Sequence, residues 1–253
     1  KNERKMNPTM DDSKMKLHCG WFFFNLAAIF GIHEKGLYFE LVFVDWVADV
    51  VNLNYTFVQP FGQVPVLEDG DLKLSESKAI MRYLAEQYKD DGTNLLPNDL
   101  KERAIVSTWM EIDTIQFLPL AILSLIREIK SFSHRHYNGS RKQSQIIRSP
   151  KHLRGSFSES PYLAGESFTL ADLHHLPPIH YLLNTEDEKV KDLIYSRPNV
   201  AAWVEKMKSR PAWLKTLHIT DLMKRRHLRT QLDLSCHDVA VVAHKTVMVI
   251  GNN

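Results

Sequence analysis

Residues 59–88 constrain this chain more than any other stretch. Asp69-Gly70 lies there between two short β-type runs, 64–68 and 71–74. A two-residue Asp-Gly link between such runs is a strong hairpin signal, because the turn it favours needs φ > 0 at both central positions. Val64, Leu67, Leu72 and Leu74 can then cover a core. A helix follows at once. Ser75 or Ser77 can cap it, and Ala79, Ile80, Tyr83, Leu84 and Tyr88 recur at helical spacing.

A hairpin that runs straight into a helix N-terminus can hold a small anionic molecule. First-turn N–H groups are unpaired, and the helix dipole favours negative charge beside them. Ser77 adds a hydroxyl donor and Glu76 can take an ammonium. Val64, next to Pro65, can offer its N–H and C=O to an extended peptide, and a proline at this place can be cis, which turns the backbone outward. These groups together suit a small peptide with a carboxylate and an amine. An isolated Ser-Glu-Ser would equally well just begin a helix.

The ordered block Phe61-Gly-Gln-Val-Pro-Val-Leu-Glu-Asp-Gly-Asp-Leu-Lys-Leu, followed by Glu76-Ser77, resembles the glutathione-binding half of soluble glutathione transferases of the plant phi class. The resemblance implies an α/β thioredoxin-like N-terminal domain followed by an all-α helical-bundle domain. It implies that Val64, beside Pro65, pairs with the cysteine backbone of glutathione. Glu76 and Ser77 would hold the γ-glutamyl end, and Gln63 would reach toward the glycyl end. The implied reaction joins the glutathione sulfur to a hydrophobic electrophile, as in detoxification. Glutathione is then a co-substrate, with no metal or prosthetic group, and the expected assembly is a homodimer.

Composition agrees with such a protein without selecting it. With 253 residues, 44% of them hydrophobic, the chain can bury the cores of one large or two small domains. A net charge of +2 singles out no partner. Two cysteines, Cys19 and Cys236, are too few for a disulfide framework and point to a reducing, cytoplasmic setting. No apolar run reaches the ~20 residues that span a bilayer. The nearest, 21–32, contains Asn25 and starts too late for a signal peptide.

Taken in order, residues 1–13 read as a polar tail and 14–92 as the thioredoxin-like domain. Residues 15–19 suit a first strand, 21–32 a buried helix stopped near Gly36, and 38–45 a second strand. In the resembling family a serine hydroxyl at the start of that helix donates to the glutathione sulfur and stabilises its thiolate, the nucleophile. By register from Glu34-Lys35-Gly36 that serine should lie near Phe22 to Phe24, where the chain reads Trp21-Phe22-Phe23-Phe24-Asn25. Phenylalanine cannot donate. Asn25 offers an amide donor a turn further along. Cys19 could form a mixed disulfide with glutathione, or be a plain buried strand cysteine. The loop 46–58 departs too. It has Val50 and Val51 where the family places a basic residue against the glycyl carboxylate, so a charge-assisted bond of roughly 1.5–3 kcal/mol is missing.

Residues 93–100 read as a linker and 101–220 as the helical domain. Ile105, Trp109, Ile112, Ile115 or Gln116, and Leu120 follow a helical period, with Pro119 as a break. By the resemblance Phe117 and Leu118 could wall the electrophile pocket; they could also be ordinary core. Residues 127–155 differ. Eight Lys/Arg stand against one acid between Arg127 and Arg154, without the aromatic platform that nucleic-acid binding would need. This segment reads as a disordered loop, and as a candidate product of altered coding. The family pattern resumes at Ser160-Pro-Tyr-Leu-Ala-Gly-Glu-Ser-Phe-Thr-Leu-Ala-Asp-Leu. There Thr169 can cap a helix with Asp172 replying to it, a structural device. His174, His175 and His180 form no metal motif, since Pro177 and Pro178 spoil helical ligand spacing. Pro198 suits a first helical turn, and Val200, Trp203, Val204 and Met207 form an apolar stripe. The family resemblance ends near His218, and 221–253 reads as a tail outside it.

Four readings follow. The chain is a glutathione transferase, impaired by the missing serine; a non-catalytic carrier of glutathione or another small ligand; a thiol-transfer enzyme built on Cys19; or a damaged product that does not fold.

Overall fold

The computed structural model describes residues 15–20, 23–44, 62–119, 122, 160–185 and 188–233. Expectations placed on Phe22, on the loop 46–58, on 127–155 and on the end of the tail lie outside those residues.

Strand β1 (Lys16–Cys19) is central. It pairs in parallel with β2 (Glu40–Phe43), with Cys19 opposite Phe43, and antiparallel with β3 (Val66–Asp69), with His18 opposite Val66. β4 (Leu72–Ser75) closes the hairpin on β3, which makes the order β2-β1-β3-β4. Helix α1 (Phe23–Glu34) makes the parallel crossover and α2 (Ser77–Gln87) follows β4. This is the thioredoxin-like arrangement.

The hairpin turn sits one residue later than its sequence suggests. Asp69 pairs with Leu72, so the loop is Gly70-Asp71, and Gly70 takes the positive φ of 62° at the first central position. Asp69 is held on the strand by two phenols: Tyr83 Oη and Tyr88 Oη donate to its Oδ2 at 2.8 and 2.7 Å. Burial and this carboxylate push the Tyr83 phenol up to about 12.

Helix α1 is apolar nearly all round because it is covered all round. It packs against α2 and against two helices of the second half, Leu170–Leu183 and Pro211–Asp233. Its C-terminus closes as the sequence leads one to expect. Gly36, at φ 66°, donates to the His33 carbonyl, and Leu37 N–H returns to Ile32 (both 3.1 Å), the paired bonds of a Schellman motif.

Helix α3 (Leu100–Ile112) is capped by Asp99, whose side chain accepts from the Lys101 and Glu102 amides. It continues as a π-helical turn, Asp113–Phe117. The expected apolar face is only partly right. Val106, Trp109 and Met110 are buried, whereas Ile105 and Ile115 face solvent at 48% and 67% exposure. Periodicity marks an apolar face; it does not say what covers it.

Helix α4 (Leu170–Leu183) runs through Pro177 and Pro178 without ending. Nearly every residue of this helix is buried, so packing outweighs the two lost N–H donors. Helices α5 (Glu188–Tyr195), α6 (Pro198–Lys208) and α7 (Pro211–Asp233) complete the second half. Pro198 occupies the first turn of α6, and Val200, Trp203, Val204 and Met207 are its buried stripe. One core runs from Leu17 and Phe30 in the first half to Leu173, Trp203 and Trp213 in the second. A charged clamp reinforces it. Arg210 donates to both oxygens of the buried Glu34 carboxylate at 2.6 and 2.7 Å and covers the Phe168 ring, while Thr93 Oγ1 donates to Glu34 at 2.6 Å.

Candidate functional site

Three chain segments meet at one end of the sheet. In the β3–β4 ladder Val66 lies opposite Ser75. Extending that register by one and two residues puts Pro65 beside Glu76 and Val64 beside Ser77. On the other side of β3, His18 lies opposite Val66. The same extension brings Cys19 and Gly20, and with them the start of α1, to the same end. Carried that far, the register would place the backbone of Val64 and the starts of α2 and α1 around a common crevice.

The Val64–Pro65 peptide is cis. Glu76 is the only non-glycine described with a positive φ, at 69° (ψ 114°). Backbone held there by a non-glycine costs ~1–3 kcal/mol and is characteristic of functional joints. Neither serine proposed as a cap fills that role. Glu76 is the N-cap residue, Ser77 is the first helical residue, Ser75 ends β4, and no side chain caps α2. Among the described residues, no side chain takes up the first-turn N–H groups of α2. Glu76 and Gln63 are exposed and Ser77 is half-buried.

At the other helix, Phe23 and Phe24 lie in the first turn of α1, where the serine was expected; their side chains lie outside what is described. Asn25 is fully buried, and neither its Nδ2 nor its Oδ1 finds a hydrogen-bond partner. Its amide nitrogen lies 3.9 Å from the position a Cβ would take on Gly20. Cys19 is fully buried with its Sγ 4.0 Å from Met223 Sδ. Burial pushes its thiol up to about 12, so it is a poor nucleophile and the thiol-transfer reading loses its basis.

Phe117 ends the π-turn, half-buried, with its ring 5.0 Å from that of His175, and Leu118 follows it, also half-buried. Next to the crevice, Lys78 reaches from α2 to Asp113 Oδ2 at 3.0 Å. No sequence signal pointed to this pair. The three histidines of α4 make no metal site, and no cluster that could hold a metal occurs among the described residues. Burial lowers the basicity of all three, that of His180 to about 4.

The glutathione S-transferase N-terminal domain model matches residues 13–86, and the C-terminal domain model matches 139–211. The chain is 59% identical to glutathione S-transferase F14 of Arabidopsis thaliana, across 96% of this chain and 100% of that one. The chain belongs to the glutathione S-transferase family, in its plant phi class. A second transferase of the family, from Hyoscyamus muticus, is 41% identical over 76% of this chain and 92% of its own. Among solved structures, glutathione transferase F7 from Populus trichocarpa superimposes with a TM-score of 0.69 at 32% identity, over 81% of this chain and 98% of that one.

The Arabidopsis alignment extends over 96% of this chain, and the C-terminal family model begins at residue 139, inside the basic segment 127–155.

Proposed function

We propose that this transferase seats glutathione along Val64, with the γ-glutamyl carboxylate on the open first turn of α2 at Ser77. Its ammonium faces Glu76 and its glycyl end faces Gln63. What supports this reading is the observed β3–β4 register, Val66 opposite Ser75, which directs Val64 toward the start of α2, where no side chain among the described residues caps the helix. The glutathione sulfur then lies toward the first turn of α1, and the electrophile toward Phe117 and Leu118. The thiolate attacks an electrophilic carbon, the carbon–sulfur bond forms as the leaving group departs, and the thiol proton goes to solvent. The chemistry needs no metal or prosthetic group.

Without a serine hydroxyl, the thiolate is left to the first-turn N–H groups and dipole of α1. That lowers the thiol pKa less than an added hydroxyl donor would. Turnover is therefore slow at neutral pH and climbs as glutathione ionises around pH ~8.5. The assembly is a homodimer that covers the exposed Ile105 and Ile115 of α3. The free Cys19 thiol fits a reducing cytoplasm.

Conjugation of glutathione to 1-chloro-2,4-dinitrobenzene, followed from pH 6.5 to 9, tests the reaction. The expected result is enzyme-dependent turnover that still rises above pH 8. Retention on immobilised glutathione with no turnover above the uncatalysed rate at any pH would leave a carrier rather than an enzyme.

A further inference from the structure

We propose that Lys78 is a positioning residue that couples the glutathione cradle to the wall of the electrophile pocket through the π-turn of α3. This rests on the reading of Ser77 and of Phe117 and Leu118 given above.

Lys78 follows Ser77 directly, so it moves with the turn that receives the carboxylate. An ammonium has three N–H donors, and Lys78 has three acceptors on α3 and its π-turn: the Asp113 carboxylate at 3.0 Å, the Met110 carbonyl and the Thr114 hydroxyl. Asp113 is only 3% exposed, and its second oxygen, Oδ1, has no hydrogen-bond partner. Among the described residues, Lys78 is the cation that answers the buried carboxylate. Asp113 also opens the π-turn, and its carbonyl accepts the Leu118 N–H that closes it. The residue gripped by Lys78 is thus the one on which the turn closes.

A π-turn carries one residue more than the α-helix around it, is rare, and is frequent at functional sites. Reversion to α geometry rotates every later side chain by ~100°. Phe117, now set against the His175 ring, and Leu118 would then face elsewhere. By holding Asp113 and Met110, Lys78 keeps the π register. A lysine that merely packs α2 on α3 would change stability and nothing else.

The test uses the full chain with three variants: Lys78→Met, Lys78→Arg, and Lys78→Met with Asp113→Asn, the last removing both charges so that no carboxylate is left buried alone. Amide hydrogen exchange over 113–118 is measured with and without glutathione. The ratio of kcat/KM for 1-chloro-2,4-dinitrobenzene to that for benzyl isothiocyanate is measured alongside. In the wild type, glutathione should slow exchange over 113–118. In the double variant that exchange should rise about tenfold and no longer answer to glutathione, and the electrophile ratio should move about fivefold. Lys78→Arg should keep the wild-type pattern. Wild-type protein that binds glutathione, with Lys78 variants that exchange and discriminate as it does, overturns the role of Lys78 alone. Wild-type protein that ignores glutathione overturns the reading of the cradle and, with it, the coupling.

Discussion

Helices α2 and α4 begin in opposite ways. At α4 all four first-turn amides are answered by the chain. Leu170 N–H reaches the Leu95 carbonyl (3.0 Å), Ala171 N–H the Thr169 hydroxyl (3.3 Å), and Asp172 and Leu173 the Thr169 carbonyl (3.1 Å each). Asp172 replies to the Thr169 N–H at 3.0 Å, and also binds the Leu163 N–H and the Trp203 indole N–H, both at 2.9 Å. At α2 no side chain caps the helix, the N-cap residue is held at positive φ, and Ile80 N–H reaches back to the Glu76 carbonyl (2.9 Å). The same backbone demand is met internally at α4, and at α2, on the proposed reading, is left for glutathione. Substitutions at the first should cost stability and leave binding alone; at the second the reverse should hold.

The largest effect is expected at Asp172. Asp172→Ala strands three buried donors and should lower stability by about 4 kcal/mol, read in denaturant unfolding, while the folded fraction keeps its glutathione affinity. Arg210→Met should cost about 3 kcal/mol, because it leaves the buried Glu34 carboxylate without its cation. Ser77→Ala should leave the melting temperature nearly unmoved and weaken glutathione binding about tenfold, one lost hydrogen bond to a charged group. Glu76→Gly is the sharpest contrast. It should raise stability by about 1 kcal/mol by releasing the strained φ, and should weaken glutathione binding as it does so. A Glu76→Gly protein that loses stability would break the comparison.

The α4 region should also carry a pH signature. His174, His175 and His180 all hold protons less readily in the fold than in the unfolded chain, because burial disfavours the imidazolium. Unfolding therefore takes up protons, and stability should fall as pH drops below 6.5, with His180 contributing until about pH 4. The Asp172 carboxyl, raised by burial, acts in the opposite sense at the acid end of that range. His180→Gln should shallow the decline measured in unfolding curves between pH 6.5 and 4.5.

Much of this was legible in the residues. Asp69-Gly70 marked a hairpin and Thr169 with Asp172 a capping box, because turns and caps are decided by a few neighbouring atoms. The block from Phe61 to Ser77 was legible as a family motif, whereas the backbone of Glu76 was not. Nothing in Glu76 announces a positive φ, since the residue that relieves such a φ is glycine. The hairpin moved by one residue because Tyr83 and Tyr88, far along the chain, hold Asp69 on its strand. Pro177 and Pro178 stay inside α4, where burial on nearly all sides outweighs their low helix propensity. The π-turn was invisible, since residues 113–117 have ordinary helical composition and the extra residue is held by Lys78 from another helix. Ile105 and Ile115 kept the apolar period and are nonetheless exposed.

Calorimetric titration of glutathione into the folded protein, run in parallel on wild type and Ser77→Ala, tests the central claim most directly. The account predicts a saturable heat in the wild type, at one site per chain, and a curve about tenfold weaker in the variant at an unchanged melting temperature. No heat from a cooperatively melting wild type, or identical curves for the two proteins, would contradict it.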